Sequence, residues 1–430
     1  MKKSAGPMKR IGVAFPGDPS QKATWSGIPA GLIGGLEAAG VEAVPIGIAP
    51  PAPLLAVGTN AVAAAYLRPQ RDLRGAVKNA RQAARASASL AAVMSWAVPA
   101  ALRRAGRLDG VIQIGTGYTL RSEAPVVTYE DMTIPQTRTH PYAGWDLLTR
   151  RSFDSRMARQ RRAYETAAAC CLTSPWAAES VRGDYGIAAE KVHVVGIGCN
   201  HVAPAVERNW GAPRFLFVGL DWERKNGPGL LRAFARLREE LPTARLDLVG
   251  GHPPVGQAGV TGHGVLRLDV PEQHDRLERL FAEATCFAMP SHSEASAIAY
   301  VEAATAGLPS IGTSAGGSGY LIGEGGLVVD PADDGALLEA MRRLADPDTA
   351  AAMGAVARER SRLFSWEAVA GRILAALEGT RDEAPVAVAG RLGDDRQRAG
   401  VDPELELGPL ADVVAVDLDR EGPADAVLGL

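Results

Sequence analysis

The chain has 430 residues, 47% of them hydrophobic and 22% charged, with a formal net charge of -3 at pH 7. That composition excludes wholesale disorder and gives no basic excess for a nucleic-acid binder, and at about 150 residues per domain the length suggests two domains with extra segments. The longest apolar stretch, residues 87–102, falls short of the roughly 20 residues of a membrane span and is interrupted by Pro99.

From the N-terminus, Lys2, Lys3, Lys9 and Arg10 precede an apolar run too short for a secretion signal, so export by that route is not expected. Residues 11–15, bounded by Pro16 and Gly17, read as a short buried strand. Residues 25–40 read as a helix with Leu32, Ile33 and Leu36 on one face, and 41–48 as a second strand. Strand, glycine-containing loop, helix and strand open a parallel α/β sheet. Helical patterns follow over 71–107, then strands at 110–114 and 126–129, a helix over 153–166, a strand at 169–173, a helix over 176–185 and a strand at 192–195.

Residues 202–213 hold two prolines and no clear period, which marks a linker. The same grammar then restarts. Strands are expected at 214–218, 245–249, 286–289, 309–312 and near Val328, alternating with helices over 229–240, 273–284, 297–306 and 334–345. The division is therefore 1–205 and 206–380, two Rossmann-like α/β halves with parallel sheets facing across a cleft, where ligands sit beyond the carboxyl ends of the strands. Residues 381–430 carry twelve acidic residues against five Arg and read as a loosely ordered acidic tail, with a small added subdomain as the alternative.

The four cysteines, at 170, 171, 199 and 286, have no CxxC spacing and no zinc-type histidine pattern, which points to a reducing, cytoplasmic setting and no metal. The densest chemical signal is CFAMPSHSEASAIAYVEAATAGLPSIGTSAGG, residues 286–317. Glu294 lies in a polar loop after a strand and Glu302 stands eight positions on, in the helix. At about 1.5 Å of rise per helical residue the two carboxylates would span about 12 Å, the reach from a sugar across a diphosphate to a ribose. The helix N-terminus between them offers N–H groups to an anion. Two glutamates alone equally fit an acidic first turn with one solvated Glu.

The second signal is FVGLDWERKNGPGLL, where a strand turns at Gly219 and places Arg224 and Lys225 before a helix. Only seven of the 46 cationic residues are Lys, and one of the seven is Lys225. A cation there suits a diphosphate and the charge that develops on a departing phosphate.

With LVGGHPP and LFSWEAVAGRILAAL, these stretches make residues 10–380 resemble family-four glycosyltransferases of the GT-B fold. The resemblance implies retention of anomeric configuration, a nucleoside-diphosphate sugar as co-substrate, no cofactor and no obligatory metal. By position, Lys225 is similar to the family's phosphate-binding Lys, Glu294 to the carboxylate facing the donor sugar, and Glu302 to the one on the donor ribose. Arg224, Gly219, Gly27, Ala297 and Ile298 fall where the family contacts the donor, with Gly17 a second candidate in the first loop. The chain departs from the family pattern at Leu220, where Arg is usual, at Ala295 and Ala297, where many members have Gly, and at Asp131, where many have His.

Asp131, at the end of the strand PVVTYED, reads either as a partner of a sugar hydroxyl or as a turn and cap residue, with Glu130 as a local competitor. No histidine precedes His140, so a histidine base from the early strands is excluded. His292, close to Glu294, is a further candidate to reach the donor. Six Arg between 150 and 162 read as a solvated helix face, or else as contact with an anionic acceptor or a membrane surface. The reading is a hexosyltransferase acting on an unidentified acceptor, with peripheral membrane contact open. The alternative is a catalytically silent sugar-nucleotide sensor or partner subunit, motivated by Leu220, Ala295, Ala297 and Asp131.

Overall fold

The computed structural model describes residues 9–379 except Ala23, Pro51, 68–72, 141–144, 201–206 and Asp269. The acidic tail at 381–430, the 205/206 boundary and part of the linker at 202–213 fall outside the described residues.

Two six-stranded parallel sheets form. The first contains β1 (Arg10–Phe15), β2 (Glu42–Gly47), β3 (Gly110–Ile114), β4 (Val126–Glu130), β5 (Ala169–Leu172) and β6 (Val192–Val194), in the order β2-β1-β3-β4-β5-β6. The second contains β7 (Arg214–Gly219), β8 (Arg245–Gly250), β9 (Val260–Gly262), β10 (Cys286–Ala288), β11 (Ser310–Thr313) and β12 (Gly326–Val329), ordered β12-β11-β10-β7-β8-β9. Central strands such as GVIQI and ACCL are buried at every position, as parallel strands covered on both faces must be. The expected strands all form, within one or two residues.

Both sheets contain a point where the strand order reverses, between β1 and β3 in the first and between β7 and β10 in the second. Crevices beyond the carboxyl ends of strands at such points are where open α/β sheets bind ligands. The loops leaving β7 and β10 carry Arg224, Lys225 and Glu294.

Two expectations are corrected. The helix expected over 25–40 begins only at Ile28, because Trp25, Ser26 and Gly27 all have positive φ (43°, 53° and 77°) and form a left-handed loop that Pro29 then turns into helix. The last helix, Trp366–Glu378, counted with residues 206–380, packs on the first sheet's helix Ile28–Ala38 and near β4 and β5. The seam needs two glycines: a Cβ at Gly31 would lie 2.1 Å from Trp366 Nε1, and one at Gly35 2.3 Å from its carbonyl oxygen. The helices Ala52–Ala64, Ser318–Ile322 and Pro347–Ser361 and the short β9 were not anticipated.

Candidate active site

The loop after β7 is built to aim a lysine. Lys225 N donates to Asp221 O at 2.9 Å, and Asn226, left-handed at φ 57°, caps the helix Gly227–Glu240 by accepting from Gly229 N at 3.2 Å. The Lys225 stem lies over Gly219, where an added Cβ would come within 3.0 Å of Lys225 Cγ. Gly219 is thus the small residue that leaves this stem its path. The helix begins two residues earlier than its apolar period suggests, because Asn226 rather than a later residue supplies the cap.

The loop after β10 delivers the carboxylate. Glu294 N donates to Ala315 O at 3.1 Å and Gly317 N donates to Glu294 O at 3.0 Å. Gly316, at φ 110°, allows this approach, since a Cβ there would stand 2.1 Å from Glu294 O. The glycines at 316 and 317 therefore fix the backbone of Glu294.

Lys225 Nζ bonds Glu294 Oε2, and Arg224 Nη1 bonds the same oxygen at 3.2 Å and Ser293 O at 2.8 Å. Burial pushes the Glu294 carboxyl up, but the charges of Lys225 and Arg224 outweigh it and hold it below the usual range. Burial pulls the Lys225 amine down, and Glu294 opposes that pull. The result is a buried carboxylate under two cations. Leu220, one of the departures named above, is 68% exposed, and the cation paired with Glu294 beside Lys225 is Arg224.

Glu302 lies in the helix Ile298–Thr305, whose N-cap residue, Ala297, makes no side-chain cap. The N-cap side chain thus accepts from none of the first-turn N–H groups. Burial pushes the Glu302 carboxyl up to about 7. The expected 12 Å helical span from Glu294 is corrected, because Glu294 lies four residues before the first helical residue and only the second half of the interval has helical rise.

From the first unit, Asp131 follows β4. Its carboxyl is pushed up to about 7, first by burial and further by the charges of Glu130 and Glu294, which puts it within electrostatic reach of the second unit's carboxylate. Its Oδ1 is buried with no hydrogen-bond partner. It does not cap the next helix, Gln136–Thr139, whose N-cap residue is Pro135. Glu130, the local competitor, is fully engaged by Thr116, Gln160 and Tyr164. Gly27 closes the left-handed loop after β1, and a Cβ there would meet Asn200 Nδ2 at 2.7 Å. Gly17, also at positive φ, lies just after β1.

Several residues that join the two units were missed. Thr173 Oγ1, after β5, lies 2.6 Å from Ser296 Oγ, and Asn200 bonds both Ser26 O and Trp366 Nε1. Their signals are pairings between distant residues, which no local pattern carries. His292 is exposed, and His140 packs against Trp176. The solvated-face reading of 150–162 is corrected for its centre: Arg156 is 2% exposed with Nη1 on Gly117 O at 3.1 Å, and Arg159 bonds Thr119 Oγ1 at 2.8 Å.

Residues 212–346 match the family described as glycosyl transferases group 1. Curated relatives include a D-inositol 3-phosphate glycosyltransferase of Nocardioides sp. (strain ATCC BAA-499 / JS614), 33% identical over 196 residues, 40% of this chain and 43% of that protein. Another is a GDP-mannose-dependent alpha-(1-6)-phosphatidylinositol monomannoside mannosyltransferase of Mycolicibacterium smegmatis (strain ATCC 700084 / mc(2)155), 32% identical over 177 residues, covering 37% of this chain and 46% of the relative. The matches thus span less than half the length of these two proteins.

Among solved structures, sucrose-phosphate synthase from Thermosynechococcus elongatus superposes with a TM-score of 0.59 at 19% identity, covering 85% of this chain and 97% of that one. WaaG, a glycosyltransferase involved in lipopolysaccharide biosynthesis, gives 0.56 at 16% identity, over 85% and 99%. The fold is GT-B, as expected from the sequence.

Proposed function

We propose that this chain is a retaining, metal-independent glycosyltransferase that moves a hexose from a nucleoside-diphosphate sugar to an acceptor. The observation that carries the reading is the convergence of Lys225 and Arg224 on Glu294 at the switch point of the second sheet. Neighbouring cations and an uncapped helix N-terminus suit a diphosphate, and a buried carboxylate beside them suits the hydroxyls of the attached sugar.

In this reading the diphosphate lies between Lys225, Arg224 and the N–H groups at Ala297 and Ile298. Glu302 accepts from the donor ribose. Glu294 keeps the cations in place and faces the sugar. Gly219 and Gly27 let backbone and lysine stem approach the donor, and Asp131 Oδ1, buried and unbonded, accepts from a sugar hydroxyl. The bond from the anomeric carbon to the phosphate oxygen breaks while the acceptor oxygen bonds to the same face. The acceptor proton passes to the departing phosphate oxygen. Lys225 and the helix N–H groups stabilise the charge that grows on that phosphate.

The relatives' names place D-inositol 3-phosphate and a phosphatidylinositol monomannoside first among the acceptors to try. The test is proton NMR of nucleotide sugars incubated with the protein, with and without these acceptors. Release of nucleoside diphosphate that vanishes in Lys225→Ala, with an axial-to-axial anomeric signal in the product, supports the reading. Tight donor binding with no turnover across the panel would instead establish a sensor.

A further inference from the structure

The second sheet has a cleft of about 520 Å³ at the amino ends of its strands, within the size range of small-molecule sites. Its walls are the start of β7 with the residues just before it, the start of β8, and the end of the helix Pro271–Glu283 that leads into β10. Lys225 and Glu294 follow the opposite ends of β7 and β10. At about 3.3 Å per residue, the six residues of β7 put about 20 Å between the cleft and that chemistry.

The lining is basic. Arg208, Arg214, Arg245 and Arg279 stand there against Glu207 and Glu283, an excess of two positive charges in a chain whose net charge is -3. Arg214 and Arg245 are register partners on the parallel strands β7 and β8. They share one face of the sheet, because Asp247, two residues on from Arg245, accepts from Arg214 Nε at 2.6 Å. Like charges side by side on one sheet face cost stability. Arg214 is tied to Asp247 and Glu283, whereas Arg245 has no ion pair among the described residues. Neither has Arg279, one helical turn before Glu283. Arg208 is held in place: its Nη2 donates to Phe281 O at 3.1 Å and Ala306 O at 3.0 Å, and its guanidinium lies 5.1 Å from the centre of the Trp210 ring. Its Nε is buried with no hydrogen-bond partner, and burial together with the charge of Arg358 pulls the group down to about 10. Guanidinium forks match the oxygens of phosphate and carboxylate alike. Two surplus charges favour a phosphate ester, which carries about -1.5 to -2 at pH 7, over a single carboxylate.

We propose that this cleft is a second ligand site, which takes a small phosphate ester and holds its phosphate on Arg245 and Arg279 within the positive field of Arg208. The site is separate from Lys225 and Glu294 and does not depend on the transferase reading. The test is isothermal titration calorimetry of the full chain, at constant ionic strength, with glycerol 3-phosphate, inorganic phosphate and succinate. Saturable binding of both phosphates is expected, tighter for the ester because its organic part fills more of the cleft. Succinate binds more weakly, since its two charges sit on separate carboxylates. Arg245→Glu and Arg279→Glu each weaken glycerol 3-phosphate about tenfold, as loss of a charge-assisted hydrogen bond does, while Lys225→Ala leaves it unchanged. Arg245→Gln melts no lower than wild type without ligand, because it removes a repulsion, yet loses the stabilisation that glycerol 3-phosphate gives; an arginine that only supports the fold would lower the melting temperature. No binding, binding lost in Lys225→Ala, binding unchanged by both charge reversals, equal binding of succinate, or preference for inorganic phosphate over the ester would overturn the proposal.

Discussion

Lys225 and Glu302 carry opposite electrostatic problems, and each yields its own test. Lys225 is held over Gly219 against Glu294, where its charge is worth more than in water because both side chains are largely buried. Lys225→Ala is expected to cost about 2–4 kcal/mol of transition-state stabilisation, read as a fall in kcat/KM with melting temperature little changed. Gly219→Ala should give a smaller loss of the same kind, since its Cβ displaces the lysine stem. Glu302, with its carboxyl raised to about 7 by burial, changes charge between about pH 6 and 8. In the role proposed for Glu302 on the donor ribose, the ionised form accepts hydroxyls better, so nucleotide affinity should rise with pH across that window. Titration calorimetry should show the rise in wild type and a flat profile in Glu302→Gln; the same slope in both would assign it elsewhere. The raised carboxyl pKa also means that its contribution to stability falls as pH climbs from the ordinary value of 4.5 towards 7.

At the scale of elements, the seam between the helices Ile28–Ala38 and Trp366–Glu378 is the sharpest packing statement. Glycine inside a helix normally costs about 0.5–1 kcal/mol relative to alanine, so an exposed Gly→Ala change stabilises. Here the sign reverses. Gly31→Ala and Gly35→Ala drive a methyl into Trp366 and should destabilise by about 1–3 kcal/mol in urea unfolding, whereas Gly34→Ala, with nothing near its added Cβ, should stabilise or do nothing. Elements were legible where apolar contrast was strong: residues 11–15 are a continuous buried run bounded by turn residues, and β7 has a buried centre at 215–217. The helix Ala52–Ala64 lacks that contrast, since uncharged residues occupy all its positions and apolar Leu54 and Val57 are exposed while Thr59 is buried. Pro347–Ser361, with Ala350, Ala357 and Gly354 as its buried face, hides for the same reason. The left-handed Trp25 and Ser26 were unreadable because propensity places neither there.

For the whole molecule, what the sequence could not convey is how two units meet. Lys225 and Glu294 were legible because their types and spacing sit beside recognisable strand ends, and their ion pair closes a separation of 69 residues. The bonds of Thr173 to Ser296 and of Asn200 to Trp366 close separations of 123 and 166 residues between ordinary polar side chains, and Arg156 looked solvated until Gly117 and Trp145 covered it. The proposed site draws Asp131 from one unit and Lys225, Glu294 and Glu302 from the other, so a nucleotide sugar bound there would stabilise both together. The most direct measurement is thermal unfolding of wild type and Lys225→Ala with UDP, GDP and ADP. One of the three, at 100 times its dissociation constant, should stabilise wild type by about 2.7 kcal/mol and leave Lys225→Ala almost unshifted; no shift with any of them, or equal shifts in both proteins, would contradict the account.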